Sequence, residues 1–188
     1  MRDRLITAIL AAWLLLLVCA GAGAVVAFRG VREAGLAAAG HPEIPVESVV
    51  AHAGGLVARS GFTAAAWGSV LFGITALIAL GTAHRGWRGW VLRLFILGGL
   101  GLGFVQFGFN ASIQSASDRR WELSLGGEQA AADAVGEAIQ SVHLGAEQLY
   151  AAQVLAVMGA LIGAIIWGRG RVDAPGSESH TGEPSCQS

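Results

Sequence analysis

Charged residues are scarce in this sequence, and lysine does not occur in it. Only 13% of the 188 residues are charged, and all twelve basic residues are arginine, whereas about a quarter of a typical soluble domain is charged. The formal net charge is −1, and the arginines form no dense cluster of the kind that binds nucleic acid. This composition argues against a soluble globular domain and against nucleic acid as a partner.

Cysteine is rarer still than charged residues. The two cysteines are Cys19, inside a long apolar run, and Cys186, in a polar segment near the end of the sequence. Two cysteines in such different surroundings exclude a disulfide framework. The segment Leu16-Leu17-Val18-Cys19 resembles a lipoprotein cleavage site, but valine stands where such a site has a small residue. We therefore expect no lipid on Cys19.

The common motifs of enzymes are also missing. The sequence has no phosphate-binding glycine loop, no Gly-x-Ser-x-Gly elbow and no His-Glu-x-x-His motif. Its apolar runs contain no aspartate, glutamate or lysine of the kind that marks proton-coupled carriers. We expect a protein that is not an enzyme and that has no organic cofactor.

Four long apolar runs dominate the sequence instead. A bilayer core of about 30 Å needs about 20 apolar residues in a helix, and the runs predict membrane spans at 5–28, 61–83, 94–113 and 149–168. The first run is longer than the apolar core of a secretory signal, so we interpret it as a retained helix. The predicted fold class is all-α: a polytopic membrane protein with an antiparallel bundle of four transmembrane helices. The lipid bilayer is its expected partner.

The connecting segments extend this single predicted domain, residues 1–168. Apolar residues recur at three-to-four spacing in 46–58, which predicts an amphipathic helix. The same periodicity begins near residue 128, so the fourth helix is predicted to extend outside the membrane over 128–148 before it enters the bilayer. Residues 169–188 lack periodicity and predict a disordered cytoplasmic tail.

The distribution of arginine predicts the orientation. Seven arginines fall in the N-terminus, the connection between the second and third spans, and the tail, and five fall in the other two connections. Because cytoplasmic segments carry the excess of basic residues, both termini are predicted to be cytoplasmic. The use of arginine alone is typical of GC-rich bacterial genomes, so we expect a multi-pass protein of the bacterial inner membrane.

Small and polar residues form stripes on two of the predicted spans. One stripe lies on the third span at steps of three and four, and its members are Gly99, Gly103, Gln106, Asn110 and Gln114. The fourth span carries Gly159 and Gly163 beside an alanine row from Ala152 to Ala164. Such stripes usually pack helices together. The alternative is that the third span lines a path for a small solute or an ion.

A possible metal site lies outside the predicted spans. His143 and Glu147 stand one helical turn apart, and His52 lies on the amphipathic segment of the same side. Two imidazoles and a carboxylate suit Zn²⁺ or Cu²⁺. Further ligands or supporting groups could come from His41, Glu43 and Glu137. The alternative is that these side chains form an ordinary solvated surface.

The order of the spans and three short segments resemble the transmembrane-protein-205-like family of four-helix membrane proteins, which is distantly akin to the copper-resistance protein D group. The segments are Phe28-Arg29-Gly30-Val31, Ala53-Gly54-Gly55-Leu56-Val57-Ala58-Arg59 and Val142-His143-Leu144. In that family a serine and an asparagine follow the histidine at intervals of three and seven, where this sequence has Ala146 and Tyr150. The resemblance therefore implies a fold and a topology, and it leaves the role of His143 open.

Three functions from different classes follow from these observations. The first is a non-enzymatic helical-bundle component of the membrane, which associates with a second copy or with another membrane protein. The second is a permeation protein that uses the polar stripe of the third span, and the third is extracytoplasmic handling of Cu or Zn.

Overall fold

The computed structural model describes residues 2–33, 46–81 and 86–169. Within these ranges the regular structure is helical, and the helices are α1 (Arg2–Glu33), α2 (Val46–Leu80), α3 (Trp87–Leu125) and α4 (Gln129–Arg169). All four are long and apolar enough to cross a membrane. The prediction of an all-helical chain with four such helices is confirmed. The expectations for His41, for Glu43 and for the tail beyond residue 169 lie outside the described residues.

The helices are longer than the predicted spans. The amphipathic segment 46–58 is not a separate element, because it forms the first part of α2 and continues without a break into the predicted span. A single glycine at residue 61 follows it, which is too weak a signal to end a helix that has packing partners. Likewise, α3 continues past residue 113 to Leu125, and α4 is unbroken over 41 residues.

A tight turn at residues 126–128 joins α3 to α4. The amide of Glu128 donates to the carbonyl of Leu123 (2.9 Å), and the amide of Gly127 donates to the carbonyl of Ser124 (3.3 Å). These two bonds form a Schellman motif, which satisfies carbonyl groups that the helix end would leave without a partner. Gly127 has φ of 77°, a backbone conformation that favours glycine.

Each helix packs against two others: α1 contacts α2 and α4, and α3 contacts α2 and α4. The buried faces follow a spacing of three and four residues, as in other helical bundles. On α1 this face consists of Ile6, Leu10, Trp13, Leu17 and Ala20, and on α3 it includes Leu92, Ile96, Gly99, Gly103 and Gln106.

The helix ends meet in two groups. The side chain of Arg2 donates to the carbonyl of Ala79 (2.7 Å), and the rings of Trp87 and Trp167 lie edge to face with centroids 5.5 Å apart. We call this the terminal end. The turn between α3 and α4 marks the opposite end, which we call the turn end.

Large apolar side chains cover the outer surface of the structure. Only 22–33% of the most apolar stretch of each helix is buried, and Leu71, Ile78 and Val26 are among the side chains that lie exposed. An apolar surface of this extent is unfavourable in water and favourable in lipid.

Candidate functional site

A buried polar cluster connects all four helices near the middle of the structure. Trp13 of α1 donates its indole N–H to the hydroxyl oxygen of Ser69 of α2 (3.0 Å). The side-chain amide of Gln153 of α4 donates to the same oxygen (3.0 Å) and to the carbonyl of Gly99 of α3 (3.1 Å). We call Trp13, Ser69 and Gln153 the polar cluster. Their side chains are at most 1% exposed.

The two inward glycines of α3 leave room for this cluster. A Cβ atom at Gly103 would lie 2.9 Å from Nε2 of Gln153, and one at Gly99 would lie 3.1 Å from Cγ2 of Val157. Both distances are shorter than ordinary van der Waals contact. A side chain at Gly103 would therefore push the amide of Gln153 away from its partners, and one at Gly99 would require Val157 and Trp13 to shift slightly.

The bonds of Gln153 also fix the orientation of its amide. The carbonyl of Gly99 can only accept, and the hydroxyl of Ser69 already donates to the carbonyl of Ala65 (2.7 Å). The nitrogen of Gln153 must therefore face both groups. Its oxygen is buried and has no hydrogen-bond partner among the described residues.

A cavity of about 450 Å³ opens on the turn-end side of the polar cluster, at the boundary of the predicted spans. We call it the boundary cavity. All four helices line it, with apolar groups such as Val25 and Phe62 and with Tyr150, whose hydroxyl donates to the carbonyl of Leu17. Its polar lining consists of Arg59, Gln106, Asn110, Gln114, His143 and Glu147.

A second cavity of about 360 Å³ lies nearer the turn end. We call it the turn cavity. Phe28, Gly55, Ile113 and His143 line both cavities, so the two spaces adjoin. Residues of the turn cavity come mainly from helix segments outside the predicted spans.

Two residues that line the turn cavity carry hydrogen-bond donors without partners. Nε of Arg120 and Oγ of Ser124 are buried, and neither has a hydrogen-bond partner in the described part of the chain. The guanidinium of Arg120 lies against Gly136 of α4, where a Cβ atom would be 3.0 Å from its central carbon. On the opposite wall the ring of His52 stacks on Trp121, with centroids 4.5 Å apart.

The predicted stripe of α3 lies along these features. Gly99, Gly103 and Gln106 are buried, whereas Asn110 and Gln114 are half-buried and line the boundary cavity. On α4, a Cβ atom at Gly159 would lie 2.8 Å from the ring of Phe95, and one at Gly163 would lie 3.2 Å from Leu92. In the alanine row beside them, exposure decreases along the helix from Ala152, which is exposed, to Ala160 and Ala164, which are buried.

The structure brings together only part of the predicted metal site. Nε2 of His143 and Oε1 of Glu147 are 3.2 Å apart, and both side chains are more than half exposed. His52 lies in the turn cavity against Trp121 and does not complete a cluster with them. Within residues 2–33, 46–81 and 86–169, no group of three or more His, Cys, Asp or Glu side chains could hold a metal ion. The metal site at His143, Glu147 and His52 stays a prediction.

Several residues of these sites were not predicted from the sequence, although the sequence contains features that point to them. Gln153 is the sole amide in the fourth apolar run, and Trp13 lies in the middle of a span, where tryptophan is less common than at an interface. Steps of seven from Gly99 lead through Gln106 and residue 113 to Arg120. The same period that identified the stripe therefore extends to the turn cavity.

Comparison with known proteins identified no matching family model, no matching curated protein and no matching solved structure. The candidate function consequently rests on the geometry of this chain.

Proposed function

We propose that this chain is a multi-pass protein of the bacterial inner membrane that binds a small amphipathic molecule and catalyses no reaction. In this proposal the four helices insert as an antiparallel bundle with both termini in the cytoplasm. The contact of Arg2 with the last turn of α2, and of Trp87 with Trp167 at the end of α4, supports the antiparallel arrangement.

The observation that carries the proposal is the boundary cavity. It is large enough for a small ligand, all four helices line it, and it combines apolar walls with a limited set of polar groups. This combination is typical of ligand sites, in which apolar contact supplies affinity and a few polar groups fix the orientation. Its position at the predicted membrane boundary suits a molecule with one apolar part and one polar part.

The packing beyond the cavity favours binding over permeation. The polar stripe of α3 reaches Gln106 and then meets the polar cluster, where Gln153 crosses the bundle from α4. From there to the terminal end the interior is filled by fully buried apolar side chains, including Leu10 and Leu80. A cavity closed at one end suits a bound molecule better than a transported ion.

Photolabelling in lipid nanodiscs tests this function. Cetyl alcohol with a diazirine in its chain is expected to label residues that face the boundary cavity, such as Phe28 and Phe62, as mapped by mass spectrometry. Filling the cavity with Ala58→Trp or Ala146→Trp is expected to abolish this labelling, because both alanines border the cavity and are 8% exposed.

Ala152→Trp is the matched control, because Ala152 is on the exposed face of α4. It should leave the labelling unchanged. Adducts restricted to lipid-facing residues such as Leu71 and Ile78, with no response to the cavity-filling variants, would show that the cavity does not bind the probe.

A further inference from the structure

Two residues that line the turn cavity carry hydrogen-bond donors that the described part of the protein leaves unused. Ser124 is 6% exposed, and its hydroxyl has no hydrogen-bond partner among the described residues, like Nε of Arg120 beside it. Buried polar groups in native proteins nearly always have partners, because a buried donor that has lost its bonds to water and gains none in return destabilises the fold. Two such donors in one cavity indicate a ligand that accepts hydrogen bonds.

The charge of the cavity lining indicates that this ligand is an anion. Arg120 is permanently charged, and the residues that line the turn cavity include no aspartate or glutamate in the part of the chain that the structure describes. The other polar groups of the wall are histidine, serine, glutamine and tryptophan side chains. A carboxylate or a phosphate would receive charge-assisted hydrogen bonds from Arg120 and an additional bond from Ser124.

The neighbouring cavity indicates what the anion is attached to. Four lining residues are common to the two cavities, so a single molecule can occupy both. Gln106 in the boundary cavity and Arg120 in the turn cavity are two heptads apart on α3, which is about 21 Å along a helix. This separation is comparable to the length of an extended long-chain fatty acid.

We infer that the two cavities together bind a single-chain amphiphile with an anionic headgroup, such as a long-chain fatty acid. The carboxylate or phosphate of the headgroup binds to Arg120 and Ser124 in the turn cavity, and the alkyl chain occupies the boundary cavity. This assignment rests on the proposed binding function and adds the charge of the ligand to it. It also places the headgroup outside the predicted spans, where water is available. The alkyl chain then lies at the boundary of the spans, at the level of the lipid.

The test compares two probes that differ only in the headgroup. Diazirine-bearing palmitic acid and the corresponding cetyl alcohol are photolysed, at subsaturating concentration, with the full-length protein in nanodiscs. Arg120→Gln is expected to reduce labelling of the boundary cavity by the acid about tenfold, and Ser124→Ala less, because charged hydrogen bonds are the stronger ones. Labelling by the alcohol is expected to stay the same. An unchanged signal from the alcohol would also show that the variants are folded.

Arg119→Gln is the matched control, because Arg119 is the neighbouring arginine on α3 and its side chain is exposed. Equal labelling by the acid in the two arginine variants would overturn the headgroup site. If the alcohol still labels the boundary cavity in that case, the proposed binding function remains intact. Absence of cavity labelling by both probes would overturn both proposals.

Competition identifies the source of the anion. Unlabelled palmitic acid or a lysophosphatidic acid should suppress labelling by the acid probe more strongly than cetyl alcohol does. Suppression by acetate or inorganic phosphate to the same extent would overturn the assignment of an amphiphile and identify a site for a free anion.

Discussion

At the scale of single residues, Gln153 and Ser69 each link three of the four helices. The amide of Gln153 links α4 to Ser69 and, through the carbonyl of Gly99, to α3, and Trp13 binds the same serine from α1. Hydrogen bonds between helices in a membrane contribute about 0.6 kcal/mol each on average. Their main effect here is therefore on geometry, because they hold the four helices in one register.

Gly103 provides the sharpest test of this arrangement. Gly103→Ala is expected to destabilise the folded protein by about 1 kcal/mol, because the added methyl group displaces Nε2 of Gln153 from its two partners. The measurement is reversible unfolding in mixed micelles with increasing amounts of denaturing detergent.

Gly101 on the same helix serves as the control. A Cβ atom there would meet nothing within 4 Å, so Gly101→Ala should be neutral or stabilise the helix by up to about 1 kcal/mol. Equal effects of the two substitutions would mean that Gln153 does not occupy the space beside Gly103.

Sequence periodicity predicts which residues of α3 share a face, and it does so without any knowledge of α4. It cannot show which polar group of a neighbouring helix lies opposite, and for that reason the bonds of Gln153 were not predicted. The same limit applies to His52. Its side of the membrane followed from the predicted topology, but its stacking on Trp121 depends on how α2 and α3 pack.

At the scale of helices, the lengths of α3 and α4 and the turn between them decide where the cavities form. Both helices continue well beyond the predicted spans and are joined by only three residues, 126–128. They therefore stay in contact outside the predicted spans, and the first part of α2 packs beside α3 there. These three segments, together with Phe28 of α1, supply the walls of the turn cavity.

The turn itself can be tested by one pair of adjacent glycines. Gly127 has φ of 77°, whereas Gly126 has φ of −75°. Gly127→Ala is expected to cost about 1 kcal/mol, because a Cβ atom is unfavourable in the left-handed conformation. Gly126→Ala is expected to change stability by less than about 0.5 kcal/mol. Unfolding in mixed micelles measures both, and a cost at Gly126 instead of Gly127 would contradict this turn geometry.

The existence of four helices could be predicted because each apolar run is long and uncharged. The full lengths of α2 and α3 could not, since a span prediction ends where the apolar run ends, whereas the start of α4 near residue 128 was predicted from its periodicity. The segments 46–58 and 114–125 remain helical because neighbouring helices bury one of their faces. Hydropathy does not include that gain, so segment 46–58 and the span from residue 61 were predicted as two elements where the structure has one helix.

At the scale of the whole molecule, the two ends differ in packing and in charge. The terminal end is densely packed and carries Arg2, whose side chain binds the end of α2, together with the exposed rings of Trp87 and Trp90. Interfacial tryptophan beside arginine is typical of the cytoplasmic boundary of a membrane protein. The turn end contains both cavities.

This asymmetry leads to a prediction about topology. Green fluorescent protein fused after residue 188 is expected to fluoresce, because the C-terminus is predicted to be cytoplasmic. Alkaline phosphatase fused at the turn, near residue 126, is expected to be active, because that end is predicted to lie outside the cytoplasm. Active phosphatase at the C-terminus, together with an inactive fusion at the turn, would reverse the orientation and place the turn cavity in the cytoplasm.

The uneven distribution of internal space also affects how this chain can change during evolution. In the densely packed half, Ala76 and Ala160 are fully buried, so a larger residue there has no room. In the half with the cavities, Ala58 and Ala146 border open space, where a larger residue would gain contacts and raise stability. Selection for stability alone would therefore drive this half toward larger side chains. A lineage that no longer needed the occupant of the cavities would be expected to fill them first.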